Sequence, residues 1–569
     1  MLLVPREGDG LPRRHEKGVR VRGAWIPDAL DLEGCRVDCD LSLFACRFDR
    51  PPNLRSATLD GLYLNGSSLP GLGGDRLNVK GGVFLRGVTA EGEMRMLGAK
   101  LGGDLDCSEA RFAAETDAAG TPGVAFGADR LDAAGGVVLE RVTAKGAVRM
   151  LGAKLGGDLD CSEARFAAET DAAGTPGVAF GADRLDAAGG VVLERVTAKG
   201  AVRLLGAKLG GGLDCTGARF AAETDAEGTP GDAFSADRLD AKGGVVLRDV
   251  TARGAVRLVG ARIGGDLSCD GATFGGAEGA GEPISNERVL SLDSARIDGA
   301  LILREGSRVA GALDLTAAEI GVLCDDRAAW PPAGGLMLDR CRYGAFVGLA
   351  PVDAVARLEW LGRMEPTRWG VDFWPQPYEQ CAKVLREMGH GEDARAVLIE
   401  KERRQRAARV ARAPLQQRAL LRLRDRVLWH TVRHGRQPLR AAVWLAAFVG
   451  FGTVVFHAAH EAAAMRPAAP AVLQGAAWAG CADGGEQGSQ LACFRATAVG
   501  AGYPGFNALV YSADTLLPIV SLGMQEYWTP DERTARGAAT RVWLWLHILA
   551  GWALSLLAVA GFSGLVKSD

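Results

Sequence analysis

The chain has 569 residues, enough for several domains, and its 78 glycines beside only 6% aromatic residues are not the balance of ordinary packed globular layers. Its net charge of -3 conceals a division, with -12 on residues 1–400, +11 on 401–440 and -2 on 441–569. The 12 cysteines include no C-x-x-C pair, and no G-x-S-x-G, Cys-His nucleophile spacing or P-loop occurs, so zinc-site and common hydrolase or nucleotide-binding readings lose their usual footholds.

The opening stretch MLLVPREGDGLPRRHEKG lacks the apolar core of a secretory signal, so the front of the protein is expected to stay in the cytosol with its thiols reduced. An internal repeat then takes over. The segment 97–149 recurs without change at 151–203, and altered forms follow as LGAKLGGGLDCTGARF at 205 and VGARIGGDLSCDGATF at 259, a period of 54. Within each repeat, short alternating stretches such as VVLERV, AVRMLG, DLDCSE and VAFGAD are separated by glycine, as strands with one buried face would be. A strand every ten or eleven residues, with the insertion AAETDAAGTPG, predicts two turns of a right-handed parallel β-helix per repeat across residues 1–345. ALDLEGCRV and ALDLTAAEIGVL extend the pattern in both directions. These residues resemble the pentapeptide-repeat and related β-helix proteins of bacteria, although the strict five-residue phase is absent.

Cys107, Cys161, Cys215 and Cys269 recur once per repeat. Two turns apart, they would stand roughly 10 Å from one another, too far for a disulfide or a shared ion. Each is therefore expected to be a small inward-facing residue. Identical tandem copies also speak against a unique catalytic pocket here. They suggest a surface whose length matters, and a cytosolic protein or ligand is the expected partner.

Residues 351–440 change period. YEQCAKVLREMGHGEDARAVLIEKERRQRAARV has helical spacing with a break at Gly389 to Gly391, which predicts a helical neck. Its Arg-rich second half precedes an apolar run, so contact with anionic lipid heads is favoured over nucleic acid.

Residues 441–569 read as a membrane domain. The stretches 441–459, with His457 neutral, and 542–566 are read as without formal charge, and Trp444, Trp543 and Trp545 sit near their ends. The basic neck places the N-terminal side in the cytosol, and two spans return the C-terminus there, the expectation for a bacterial inner (plasma) membrane. Between the spans lies GFNALVYSADTLLPIVSLGMQEYW, residues 505–528, too polar to cross a bilayer and too apolar for a solvated loop. The order helix, short pore helix with following loop, helix resembles the simplest potassium-type channels over roughly 130 residues. After Thr515, however, the chain reads Leu-Leu-Pro-Ile-Val-Ser-Leu-Gly in place of a T-V-G-Y-G filter. The resemblance implies a pore-like set of Ser512, Asp514, Thr515, Pro518, Ser521, Gly523 and Glu526, in a homo-oligomer that is tetrameric if the analogy holds. The other expectation is an amphipathic cap resting on the bilayer. Asp514 and Glu526 would face water on an axis in the first case and point outward in the second.

Cys481 and Cys493 close the Gly-rich loop CADGGEQGSQLAC beyond the first span and are expected to be bridged. His457 and His460 in HAAHE lack further zinc ligands. GAGYPG at 500–505 is a literal G-x-G-x-x-G without the βαβ frame a dinucleotide needs, so no cofactor is expected. The chain as a whole, and FWPQPYEQCAKVLREMGHGEDARAVLIEKER in particular, resembles a bacterial group often labelled membrane-associated oxidoreductases. No residue supports the redox part of that label. The expected function is an oligomeric, ion-channel-like membrane protein or sensor. The alternatives are a membrane-tethered scaffold, the labelled oxidoreductase, or an acidic nucleic-acid mimic.

Overall fold

The computed structural model describes residues 18–114, 123–168, 177–222, 231–276, 288–414, 416–419, 421–422, 426, 430, 439–484 and 488–562. The chain divides into two compact units between residues 398 and 399.

The first unit is built from three all-parallel sheets of 22, 12 and 11 strands. The chain visits them in rotation. Lys100–Leu101 and Leu105–Asp106 belong to the first sheet, Arg111–Ala113 to the second and Val124–Gly127 to the third, and Asp132–Ala133 returns to the first. Leu101 pairs with Ala133, 32 residues on, and Ala133 with Leu155, 22 residues on. One 54-residue repeat thus contains two coils, and the longer coil carries the insertion. Outside the insertion, strands start four to eight residues apart rather than every ten or eleven. Most are two to four residues long, too short for alternation alone to mark each one.

Each side of a coil turns two residues inward, i and i+2, as in Leu105 and Cys107, then Ala110 and Phe112. Phe112 stacks on Phe126 at 5.4 Å, and the next repeat does the same with Phe166 and Phe180 at 5.1 Å. Cys107, Cys161, Cys215 and Cys269 are fully buried, and burial pushes their thiols well above the ordinary range. On alternate coils the same inward position is filled by Leu139, Leu193 and Leu247. The thiols therefore lie two layers apart, about 10 Å.

The recurring L-G-G-D-L has a steric cause. A Cβ at Gly102 would lie 2.0 Å from the Lys80 carbonyl oxygen, and one at Gly156 2.0 Å from that of Ala134, so successive coils touch backbone to backbone there. The aspartate that follows fastens the next coil. Asp104 Oδ1 accepts from the Gly136 N–H at 2.8 Å and Asp158 Oδ1 from the Gly190 N–H at 2.6 Å.

The stack ends under helices α1 (Ala354–Leu361) and α2 (Gln376–Glu387). An exposed strand edge invites pairing with other chains. Here Gln376 Nε2 donates to the Cys341 carbonyl at 2.9 Å and Gln380 Nε2 to that of Tyr343 at 2.7 Å, beside the last strand, Arg342–Phe346. Arg357, 0% exposed, forms a two-pronged pair with Asp325 at 2.9 and 2.8 Å and stacks 3.6 Å from the Phe346 ring centre. Residues 351–398, read from sequence as the start of a neck, therefore cap the sheets. The division between units falls inside helix α3 (Gly391–Arg412).

The second unit contains two long apolar helices, Leu439–Glu461 and Ala535–Phe562. Their stretches Arg440–Glu461 and Ala535–Val559, with mean hydropathy 1.8 and 1.9, are long and apolar enough to cross a membrane. The second helix begins seven residues before the apolar stretch read from sequence, so Arg536 and Arg541 are helical; residues 563–566 lie outside the described residues. Between the long helices, Met465–Pro467 pairs antiparallel with Trp528–Pro530, and a short helix spans Ala508–Leu516.

Candidate functional site

The short helix Ala508–Leu516 starts at Asn507, whose side-chain oxygen accepts from the N–H groups of Leu509 and Val510, both at 3.1 Å. It ends against the second long helix. A Cβ at Gly551 would lie 1.8 Å from the Leu516 carbonyl oxygen, so only glycine fits that contact. On the other side, Ser512 Oγ donates to the Val449 carbonyl of the first long helix at 2.8 Å. His547 Nε2 lies 3.1 Å from the Ser512 carbonyl and 3.3 Å from its hydroxyl. A Cβ at Gly452 would lie 2.4 Å from Ser512 Oγ and 2.6 Å from His547 Cε1. Two glycines thus open the notch in which the short helix sits.

Depth follows from residue counts. Val449 is twelve residues from Glu461 and His547 twelve from Ala535, about 18 Å along each long helix at 1.5 Å per residue. The short helix therefore reaches the middle of both. The chain returns from there through residues 517–527 to Trp528, whose ring lies 5.4 Å from His460 near the end of the first long helix.

That return is held by Asp514. The residue is 3% exposed, and its carboxylate accepts from the N–H of Leu522 at 2.6 Å and of Gln525 at 2.8 Å. Gly523, at φ 75°, supplies the left-handed bend between those contacts. Thr515 Oγ1 donates to the Tyr511 carbonyl at 2.8 Å. Of the residues singled out from sequence, Ser512, Asp514 and Thr515 are buried with partners inside the chain. Pro518 and Gly523 are half-buried, and Ser521 and Glu526 are exposed. Asp514 takes neither placement expected for it, since it faces the backbone of its own return loop. That loop leaves apolar surface uncovered, with Ile519 85% exposed and Val520 and Leu522 exposed beside it.

The neighbouring motifs resolve into packing. His460 stacks on Phe506 at 4.7 Å, and among the described residues no cluster of His, Cys, Asp or Glu could hold a metal ion. In GAGYPG, the Pro504 carbonyl accepts from Trp528 Nε1 at 3.1 Å, and Gly500 lies in a four-residue helix that directly follows another helix, Gln490–Ala496. Cys481 and Cys493 are bridged, with Cα atoms 5.7 Å apart. In the first unit, a recess of about 570 Å3 beside Gln380 and Lys383 holds cations that already face acids, Arg296 with Asp298 at 2.8 Å and Arg342 with Glu319 at 3.9 Å.

Sequence reasoning passed over His547, Gly452 and Gly551. The signal was present in VWLWLHILAGW, where one imidazole and one glycine interrupt an otherwise apolar span. No family model, no curated protein and no solved structure matches the chain.

Proposed function

We propose that the chain is a membrane-embedded, oligomeric channel-like protein or sensor, with its stacked sheets forming a parallel β-helix module on the cytosolic side of a bacterial inner membrane. The observation that carries this reading is the short helix Ala508–Leu516, which ends at the midpoint of two helices long enough to span a bilayer and returns through a loop tied by Asp514. In a membrane this makes residues 505–528 a re-entrant segment. Irregular backbone at that depth is stable only where its polar groups are satisfied by protein or line a water path. Asp514 satisfies two of those groups from within the chain. The exposed residues Ile519, Val520, Ser521 and Leu522 are left for partner copies, because two spans cannot enclose a path alone. The +11 segment before the first span favours a cytosolic N-terminal side, and the Cys481–Cys493 bridge suits an oxidising outer side.

The test is conductance of the purified full chain in planar bilayers, together with its particle symmetry in detergent. Rotationally symmetric particles and discrete currents, altered by Asp514→Asn through the loosened return loop, are expected. Silent bilayers and particles in which residues 505–528 lie flat at the surface would leave a membrane-tethered scaffold.

A further inference from the structure

The outward positions of the three sheets treat charge differently. In the first sheet, Lys100, Asp132, Lys154, Asp186, Lys208, Asp240 and Arg262 stand in register, so each cation has acids as its neighbours on adjacent coils. In the third sheet, Arg95, Arg149, Arg203 and Arg257 each reach an aspartate, namely Asp75, Asp129, Asp183 and Asp237, at 2.7 to 3.0 Å. On the third face each of these cations is paired, and on the first each has an aspartate beside it in register on an adjacent coil.

The second sheet breaks the pattern. Its outward register runs Arg111, Thr143, Arg165, Thr197, Arg219, Thr251, and two residues further along the strands Ala113, Lys145, Ala167, Lys199, Ala221, Arg253. The six cations Arg111, Lys145, Arg165, Lys199, Arg219 and Arg253 are exposed, and among the described residues none has a carboxylate partner. One cation appears on every coil, about 4.8 Å apart, in two columns with the threonine hydroxyls between. This occurs in a part of the chain with a net charge of -12, yet from Arg111 to Arg253 the described outward positions carry no acid; the nearest in register is Glu91, on the coil before Arg111.

We propose that this face is a docking surface for an anionic phospholipid bilayer. A planar lattice of phosphate headgroups is met by a row of guanidinium, ammonium and hydroxyl donors that requires no register. From Arg111 to Arg253 the described outward positions hold Thr, Arg, Ala and Lys, and the exposed ring in the same column, Trp25, stands four coils away, so the cationic stretch itself lacks the stacking platform that single-stranded nucleic acid uses. The two membrane-length helices in the same chain keep a bilayer at high effective concentration. In that last respect the inference rests on the membrane reading above.

The experiment holds the full chain in nanodiscs of neutral phosphatidylcholine and floats it with added liposomes, either neutral or containing phosphatidylglycerol. Flotation with the anionic liposomes at 0.1 M salt and its loss at 0.5 M are expected. Arg111→Gln, Arg165→Gln and Arg219→Gln together should weaken it roughly a hundredfold. Lys100→Gln, Lys154→Gln and Lys208→Gln together, on the self-neutralised face, should leave it unchanged. All variants keep the acidic insertions at 115–122, 169–176 and 223–230, so their charge cancels in the comparison. Equal flotation of both triple variants overturns the proposal, as does binding of a single-stranded oligonucleotide in place of vesicles. A chain that stays soluble and enters no nanodisc overturns the membrane reading instead, and the soluble chain can then be floated directly to judge the face.

Discussion

The two units solve the burial of polar groups in opposite ways. In the stacked sheets the same partners recur from one 54-residue repeat to the next, with exceptions such as Gly212 in the place of the fastening aspartate. The fastening at Asp104 reappears at Asp158, and the aspartate-arginine pair at Asp129 and Arg149 reappears at Asp183 and Arg203. In the helical unit each buried polar group has its own arrangement, made once, such as Ser512 with Val449 or Asp514 with Leu522 and Gln525. Redundancy makes the first unit tolerant in its middle. Uniqueness makes the second sensitive at single atoms.

The sharpest way to break this comparison is at a buried contact of the first unit that is made once. Asp325 receives both guanidinium prongs of Arg357 and the Trp330 indole N–H at 2.6 Å. Asp325→Ala leaves a buried cation unpaired and should destabilise the cap by about 3 to 5 kcal/mol, read as a fall in the thermal unfolding midpoint of the detergent-solubilised chain. A mid-stack change such as Asp158→Ala should shift that midpoint far less. Next in size is the Cys481–Cys493 bridge, with a sequence separation of 12. Replacing both cysteines by serine releases loop entropy of about 3 kcal/mol, which should lower the unfolding midpoint by less than Asp325→Ala does, and reduction of the wild type should reproduce that shift.

Gly551→Ala is a smaller change that addresses uniqueness directly. Its methyl would meet the Leu516 carbonyl backbone, so the short helix must shift, at about 1 to 3 kcal/mol. Labelling of a cysteine placed at Ser521 should change with it, whereas Gly450→Ala, where nothing lies within 4 Å, should change neither stability nor labelling. The smallest effect should come from the largest edit. Removing residues 97–150 deletes a whole repeat, yet rejoins interfaces that already exist, so β circular dichroism per residue and the unfolding midpoint should hardly move.

The repeat was legible because its period is written in near-identical residues, and the helical unit because two stretches carry no charge. What stayed hidden was set by contacts between residues distant in sequence. Two-residue strands give alternation too brief to count, so eight strands per repeat were read as four. The glycine pairs at 102 and 156 looked like turn punctuation, and their role as the places where coils touch depends on a backbone 22 residues away. The cap was read as a neck because helical spacing in YEQCAKVLREM does not say which edge Gln376 and Gln380 will cover. Asp514 carried its chemistry openly, but only the fold tells that its lone pairs turn back to Leu522 and Gln525 rather than to water.

The near-identity of residues 97–150 and 151–204, which differ only in Met150 against Leu204, also bears on how the chain finds its native pairing. A slip of one residue flips a strand's faces and is rejected, but a slip of 54 presents the same side chains to the same neighbours. That register is degenerate in contact energy and is disfavoured only by the entropy of the chain looped out. Refolding at high concentration should therefore populate exchanged molecules, in which a coil of one chain completes the stack of another. Synthesis from the ribosome, which delivers the coils one at a time and in order, removes the ambiguity before the second copy exists.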